Sequence, residues 1–260
     1  MPELPEIESF KEYFKSKASK KTVSKVVVND DMILEGSSRS FQLRMKDQTF
    51  GSVSRYGKYL FVELSRDQSL MFHFGMTGKF KYYNQGEEEP KYSQIIFNLD
   101  DGGKLAFVCR RKLARVGLVD TKEDFLKEHK VGPDALSLKW EEFVEAMKGR
   151  SGKVKAILMN QQVIAGIGNV YSDEILFQAD IAPETGVDKL DEKELKKIFD
   201  KIKSILPEVI RIKDKDEYPE GYLHDFRKEG EQCPKCGGEI VKVTVGGRSA
   251  FYCRKHQKKK

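Results

Sequence analysis

Over residues 2–16, Leu4, Ile7, Phe10 and Phe14 recur at three-to-four spacing, and Pro5 sits where an early-helix proline is tolerated. The pattern predicts a helix from almost the first residue. From about 22 to 120 it changes to short alternating runs, 23–28, 41–45, 59–64, 70–74, 95–99, 105–108 and 116–119, parted by Gly, Asp or Asn turns. Many short strands of that kind predict a β-sandwich or barrel. After Gly132-Pro133-Asp134 helical spacing returns over 140–147, 154–159, 170–179 and 190–212, which defines a second, α-helical region. Two last runs, 240–245 and 249–252, flank Gly246-Gly247 and predict a β-hairpin.

The 260 residues suffice for two domains. With 39% hydrophobic and 34% charged residues the chain is neither a disordered acidic polymer nor a membrane protein, and no run approaches the ~20 apolar residues of a bilayer span. Lys and Arg number 47 against 41 Asp and Glu, a formal +6 that fits a polyanionic partner. Of four cysteines, Cys109 stands alone while Cys233, Cys236 and Cys253 cluster with His256. That distribution argues for metal binding in a reducing compartment, and the expected location is intracellular, cytoplasm or nucleoid.

Cys233-x2-Cys236-x16-Cys253-x2-His256 offers two ligand pairs on two tight turns, the spacing of a tetrahedral zinc site with a hairpin between the pairs. Four protein ligands make such a site structural. Arg248, just past the hairpin tip, is a candidate DNA contact, with a solvated turn arginine as the alternative. Ala165-Gly166-Ile167-Gly168-Asn169 precedes a helix start and offers backbone N–H groups to a phosphate. At the amino terminus, removal of Met1 would expose the secondary amine of Pro2, a nucleophile able to form an iminium at an electrophilic carbon. Glu3 and Glu6 then supply carboxylates within one turn; two dipole-complementing glutamates in a first helical turn are the plain alternative.

Pro2-Glu3-Leu4-Pro5-Glu6, the run from Ala165 through Asn169-Val170-Tyr171-Ser172-Asp173-Glu174, and Gly246-Gly247-Arg248-Ser249 ahead of the second ligand pair together resemble the formamidopyrimidine-DNA glycosylase / endonuclease VIII family. The resemblance spans the whole chain in the family's order. It implies an α+β multidomain fold: an N-terminal helix plus two-layer β-sandwich (1–130), a helix–two-turns–helix domain (131–222), and a C-terminal β-hairpin zinc finger with a basic tail (223–260). It implies a bifunctional glycosylase and abasic-site lyase acting on double-stranded DNA, a monomer with one structural zinc ion. Pro2 would attack the sugar C1′, Glu3 would protonate the ring oxygen, Glu6 would support proton transfers, and Lys58 would contact the lesion phosphate. Met76 and Leu113 would fill the gap left by an extruded nucleotide, Arg111 would face the orphaned base, and Asn169, Arg248 and Lys155 would clamp phosphates.

Some positions depart from the family pattern. Around Arg111, Cys109 stands for an acid, Leu113 for an aromatic residue and Ala114 for a glycine, and His256 replaces the usual fourth cysteine. The stretch 214–222, where relatives carry a longer loop capping a flipped purine, is short. Met76 and Arg111 favour formamidopyrimidines and 8-oxoguanine as the excised bases; the short stretch favours oxidised pyrimidines as the alternative. A zinc-stabilised lesion-binding protein without catalysis is the reading from another class. His73 is expected to be a core residue.

Overall fold

Leu4 to Ala18 form the first helix because Pro5 presets the backbone dihedral of its first turn and Leu4, Ile7, Phe14 and Ala18 share one buried face (α1, Leu4–Ala18). This is a computed structural model; it describes residues 1–212 and 218–258. The chain divides into two units, Met1–Lys130 and Val131–Lys260.

In the first unit two four-stranded antiparallel sheets face each other. One has the order β1-β6-β7-β5 (Val23–Val28, Ser93–Leu99, Lys104–Cys109, Gly78–Tyr83); the other β2-β3-β4-β8 (Phe50–Tyr56, Tyr59–Leu64, Ser69–His73, Arg115–Val119). Phenylalanines from both sheets mesh between the layers: the Phe72 ring lies 5.0 Å from Phe80, 5.4 Å from Phe107 and 6.3 Å from Phe97. Phe14 of α1 joins this core at 5.1 Å from Phe50, so the helix closes one end of the sandwich. Each such ring contributes about 1.5–3 kcal/mol by burial, with a further 0.5–1.5 kcal/mol per aromatic pair.

The alternation at 41–45 forms no strand. Ser38–Met45 is a helix (α2), because the Ser37 hydroxyl accepts the Ser40 N–H at 3.3 Å as an N-cap, and Phe41 and Met45, four apart, bury one face while Leu43 stays exposed. Strands β2 and β5 and the short helix α3 (Lys122–Glu128) carry too little alternation for the pattern to mark them.

The second unit contains α4 (Trp140–Met147), α5 (Val154–Leu158), α6 (Asn169–Gln178) and α7 (Glu192–Ile212), followed by the hairpin β9–β10 (Ile240–Val245, Arg248–Cys253). Residues Tyr171 through Phe177 of α6 are all buried. A helix buried all round belongs to a core, so the polar groups it carries, Ser172, Asp173 and Glu174, need partners inside the protein. The stretch 214–222 overlaps 213–217, and the basic tail includes Lys259 and Lys260; these lie outside the described residues. No helix among the described residues is long and apolar enough to cross a membrane.

Candidate functional site

The sequence-predicted residues fall into four groups, two in each unit. In the first group, Pro2 precedes α1, with Met1 ahead of it 45% exposed. Glu3 is buried and caps the helix, and its N–H donates to Glu6 Oε2 at 2.7 Å, the returning half of a capping box. Glu6 thereby fixes the backbone beside Pro2 and Glu3. Lys58 is buried in the two-residue turn between β2 and β3, where Gly57 supplies the positive φ (56°). Arg55 links this turn to the helix: its Nη1 donates to Gly57 O at 3.1 Å and its Nε lies 3.3 Å from Glu8 Oε2. Nothing in the pattern around Arg55 announced this role; a lone arginine at a strand end reads as solvated.

His73, at the end of β4, is held neutral: burial, with the Lys58 and Arg115 cations, pushes its pKa down to about 4. It packs 5.2 Å from the Tyr59 ring. Its place is structural.

The second group sits on two loops pinned to each other. Gly75, at φ +57°, lets the β4–β5 turn approach the 109–114 loop so closely that an added Cβ would lie 2.3 Å from Leu113 O. The Thr77 hydroxyl accepts the Arg111 N–H at 3.1 Å. Met76 (37%) and Leu113 (50%) are among the few large apolar side chains left exposed, and Arg111 is exposed beside them. Two solvated apolar side chains on adjoining turns beside an arginine form an apolar edge able to enter a base stack. Cys109 is wholly buried, its carbonyl accepting from Gln94 Nε2 at 3.0 Å, so its side chain is not part of the exposed edge.

In the second unit, the Gln161 side chain templates the turn before α6: Oε1 accepts the Gly166 N–H at 2.9 Å and Nε2 donates to Ile167 O at 2.8 Å. Asn169 follows at the helix start, its Oδ1 buried. Arg248 is exposed at the first residue of β10.

Lys155 has a different place from the one expected. It is fully buried, and its ammonium lies 2.6 Å from Asp173 Oδ1 and donates to Ser249 O at 2.9 Å. Asp173 Oδ2 also pairs with Arg227 Nη2 at 2.8 Å and accepts the Phe251 N–H at 3.2 Å. Burial pushes the Asp173 carboxyl up, and the two cations oppose it. In this geometry Lys155 is no surface phosphate contact. With Asp173 it grips the strand that carries Arg248. The signal was present: Asp173 and Glu174 lie side by side on an otherwise apolar helix, where acids must be paired.

Cys233, Cys236, Cys253 and His256 converge with their ligand atoms within 4.8 Å of one another. Sγ of Cys236 is 3.5 Å from Sγ of Cys253, and His256 Nδ1 is 3.5 Å from Sγ of Cys233 and of Cys236. A zinc tetrahedron with bonds of about 2.0–2.3 Å has edges of roughly 3.5–3.8 Å, so three soft thiols and an imidazole fit zinc in both geometry and chemistry.

Comparison with known proteins agrees over the whole chain. The formamidopyrimidine-DNA glycosylase N-terminal domain matches residues 1–116, the formamidopyrimidine-DNA glycosylase H2TH domain residues 131–217, and the zinc finger found in FPG and IleRS residues 230–255. The formamidopyrimidine-DNA glycosylase of Pelotomaculum thermopropionicum is 34% identical over 277 residues, and that of Lactobacillus delbrueckii subsp. bulgaricus 30% over 274, each covering 100% of both chains. The Lactococcus lactis Fpg in complex with abasic-site DNA superposes with a TM-score of 0.90 at 26% identity, covering 99% of this chain and 100% of that one; the same protein with Fapy-dG DNA matches equally. Fold and site together define a zinc-finger DNA-repair glycosylase. The chain belongs to the formamidopyrimidine-DNA glycosylase family.

Proposed function

We propose that this protein is a bifunctional DNA glycosylase and abasic-site lyase that removes formamidopyrimidines and 8-oxoguanine from duplex DNA. The observation that carries the reading is the Pro2-Glu3 start of α1, fixed by Glu6 and linked through Glu8 and Arg55 to the turn that bears buried Lys58. The Pro2 nitrogen, freed by Met1 removal, attacks C1′ as the N-glycosidic bond breaks and the base departs with a proton. Glu3 protonates the sugar ring oxygen, the ring opens, and an iminium ion forms between the Pro2 nitrogen and C1′. Loss of a C2′ proton then expels the 3′ phosphate, and a second elimination expels the 5′ phosphate. Lys58 neutralises phosphate charge beside the lesion.

Met76 and Leu113 occupy the gap in the stack and Arg111 addresses the unpaired base. Asn169 and Arg248 hold phosphates, and affinity falls steeply with salt. One zinc ion per chain, held by Cys233, Cys236, Cys253 and His256, braces the hairpin; four protein ligands close its coordination, which makes it structural. The working parts are the sandwich (1–130), the helical domain (131–222) and the finger (223–260), acting as a monomer inside the cell.

The test is single-turnover excision from duplexes carrying formamidopyrimidine, 8-oxoguanine or thymine glycol, with Glu3→Gln as control. Faster release of the purine lesions, abolished in Glu3→Gln, is expected. Faster thymine-glycol release would assign the protein to oxidised pyrimidines. Tight binding without strand cleavage on any of them would make it a lesion binder.

A further inference from the structure

His256 presents two nitrogens to different surroundings. Nδ1 faces the thiol cluster, 3.5 Å from Sγ of Cys233 and of Cys236. Nε2 points away into the protein and is buried, with the Phe177 backbone carbonyl and one carboxylate as the acceptors beside it. The carboxylate facing it is Asp180, whose Oδ1 lies 3.8 Å from Nε2.

Asp180 occupies an unusual backbone position. It follows the C-cap of α6 at φ +60°, with its N–H donating to Phe177 O at 3.3 Å and the Ile181 N–H donating to Leu176 O at 3.0 Å, a Schellman motif. Glycine fills this position without strain, and aspartate is among the residues that tolerate it. The carboxylate it brings has a second neighbour: Oδ1 also lies 3.1 Å from Lys235 Nζ, between Cys233 and Cys236 in sequence. The Phe177 ring stands edge-on to the imidazole at 4.7 Å and 78°, which fixes the ring plane. The chain after His256 is tied to the same spot, because Gln257 Nε2 donates to Ile181 O at 2.8 Å.

We propose that Asp180 is the positioning residue of the metal centre: it accepts the Nε2–H of His256, fixes the tautomer that leaves Nδ1 as the ligand, and so couples zinc retention to the C-terminal end of α6. The proposal rests on the zinc reading above. A metal-bound histidine donates its second N–H to an outer acceptor, and a carboxylate there strengthens the imidazole as a donor. Three thiolates and one imidazole give zinc one negative charge fewer than four thiolates would. Asp180, shared with the Lys235 ammonium, sets a carboxylate acceptor behind the imidazole at the position where this chain has His256 and not cysteine.

The experiment uses the purified full chain loaded with zinc. Zinc release is measured by chelator competition in the parent, Asp180→Gly, Asp180→Asn, His256→Cys and the double variant Asp180→Gly/His256→Cys. Asp180→Gly relieves the left-handed backbone, so a purely structural aspartate predicts no loss of zinc. The proposal predicts roughly 10- to 100-fold weaker retention, an intermediate loss in Asp180→Asn, and no effect in the His256→Cys background, since a thiolate has no second N–H. Two-bond ¹H–¹⁵N spectra should show the Nε2–H tautomer of His256 in the parent. Equal losses in both backgrounds, or zinc-loaded Asp180→Gly that releases metal no faster than the parent, would overturn the proposal alone. A parent protein that binds no zinc would overturn the metal reading and this proposal with it.

Discussion

Removing the charge of Asp173 isolates the element that holds the Arg248 strand. Asp173→Asn keeps the shape of the side chain but removes the carboxylate charge 2.6 Å from the wholly buried Lys155 ammonium, which also donates to Ser249 O at 2.9 Å and Asn169 O at 3.5 Å. Stranding a buried charge in this way costs about 3–5 kcal/mol. At roughly 4 °C per kcal/mol for a unit of this size, the helical domain's melting temperature falls by about 12–20 °C. Lys155→Met alone strands less, because Asp173 keeps Arg227 at 2.8 Å and the Phe251 N–H at 3.2 Å. Once Asp173 is neutral, however, the Lys155 charge is itself the liability, so the double variant Lys155→Met/Asp173→Asn should lose less than the two single losses combined, with a coupling above ~1 kcal/mol. Urea unfolding of the four proteins reads the coupling, and affinity for an abasic-site duplex should fall in step as the Arg248 strand loosens. Additive losses within about 0.5 kcal/mol would refute the network.

Gly75→Ala places a methyl group 2.3 Å from Leu113 O at a positive φ, so the loops bearing Met76 and Leu113 must separate; excision at a temperature where the variant is fully folded should drop at least tenfold, with the melting temperature also lowered by the strained backbone, and unchanged excision would count against paired wedges. Arg55→Met unties the Lys58 turn from α1, lowering single-turnover rate more than duplex affinity; an affinity loss alone would contradict that division. Burial pushes the Glu174 carboxyl from 4.5 up to about 7, against hydrogen bonds from Gln178 and the Leu223 and His224 N–H groups. The native state therefore holds that proton more tightly than the unfolded chain, and stability present below pH 4.5 is lost as pH rises through 7, by about 3 kcal/mol. Glu174→Gln should flatten this slope, and His73, neutral in the fold and contributing the opposite slope between about 4 and 6.5, is common to both proteins. Identical pH slopes would refute the assignment.

Long periodic segments were legible: α1, six of the eight sandwich strands and the long α7 follow their apolar spacing, while β2 and β5 do not. The 41–45 run was misread because residues four apart share a face in a helix as well as a strand, and only the Ser37 cap decides between them. The four metal ligands were legible because their sequence spacing is itself the geometry of two turns. The linkages that make a site were not. Glu8 and Arg55 are 47 positions apart, Asp173 and Phe251 78, Asp180 and His256 76, and no local pattern records which distant group a buried charge will meet. Lys155 shows the cost: among so many lysines, its spacing fits a surface cation until the structure buries it against Asp173.

The most direct measurement is borohydride trapping on an abasic-site duplex, with protein whose intact mass verifies loss of Met1 and with the adduct mapped by peptide mass. A covalent adduct on the Pro2 nitrogen is predicted, since the iminium ion is the reducible intermediate on which strand cleavage depends. No adduct from Met1-free protein, or an adduct carried by Lys58 or another amine, would contradict the account.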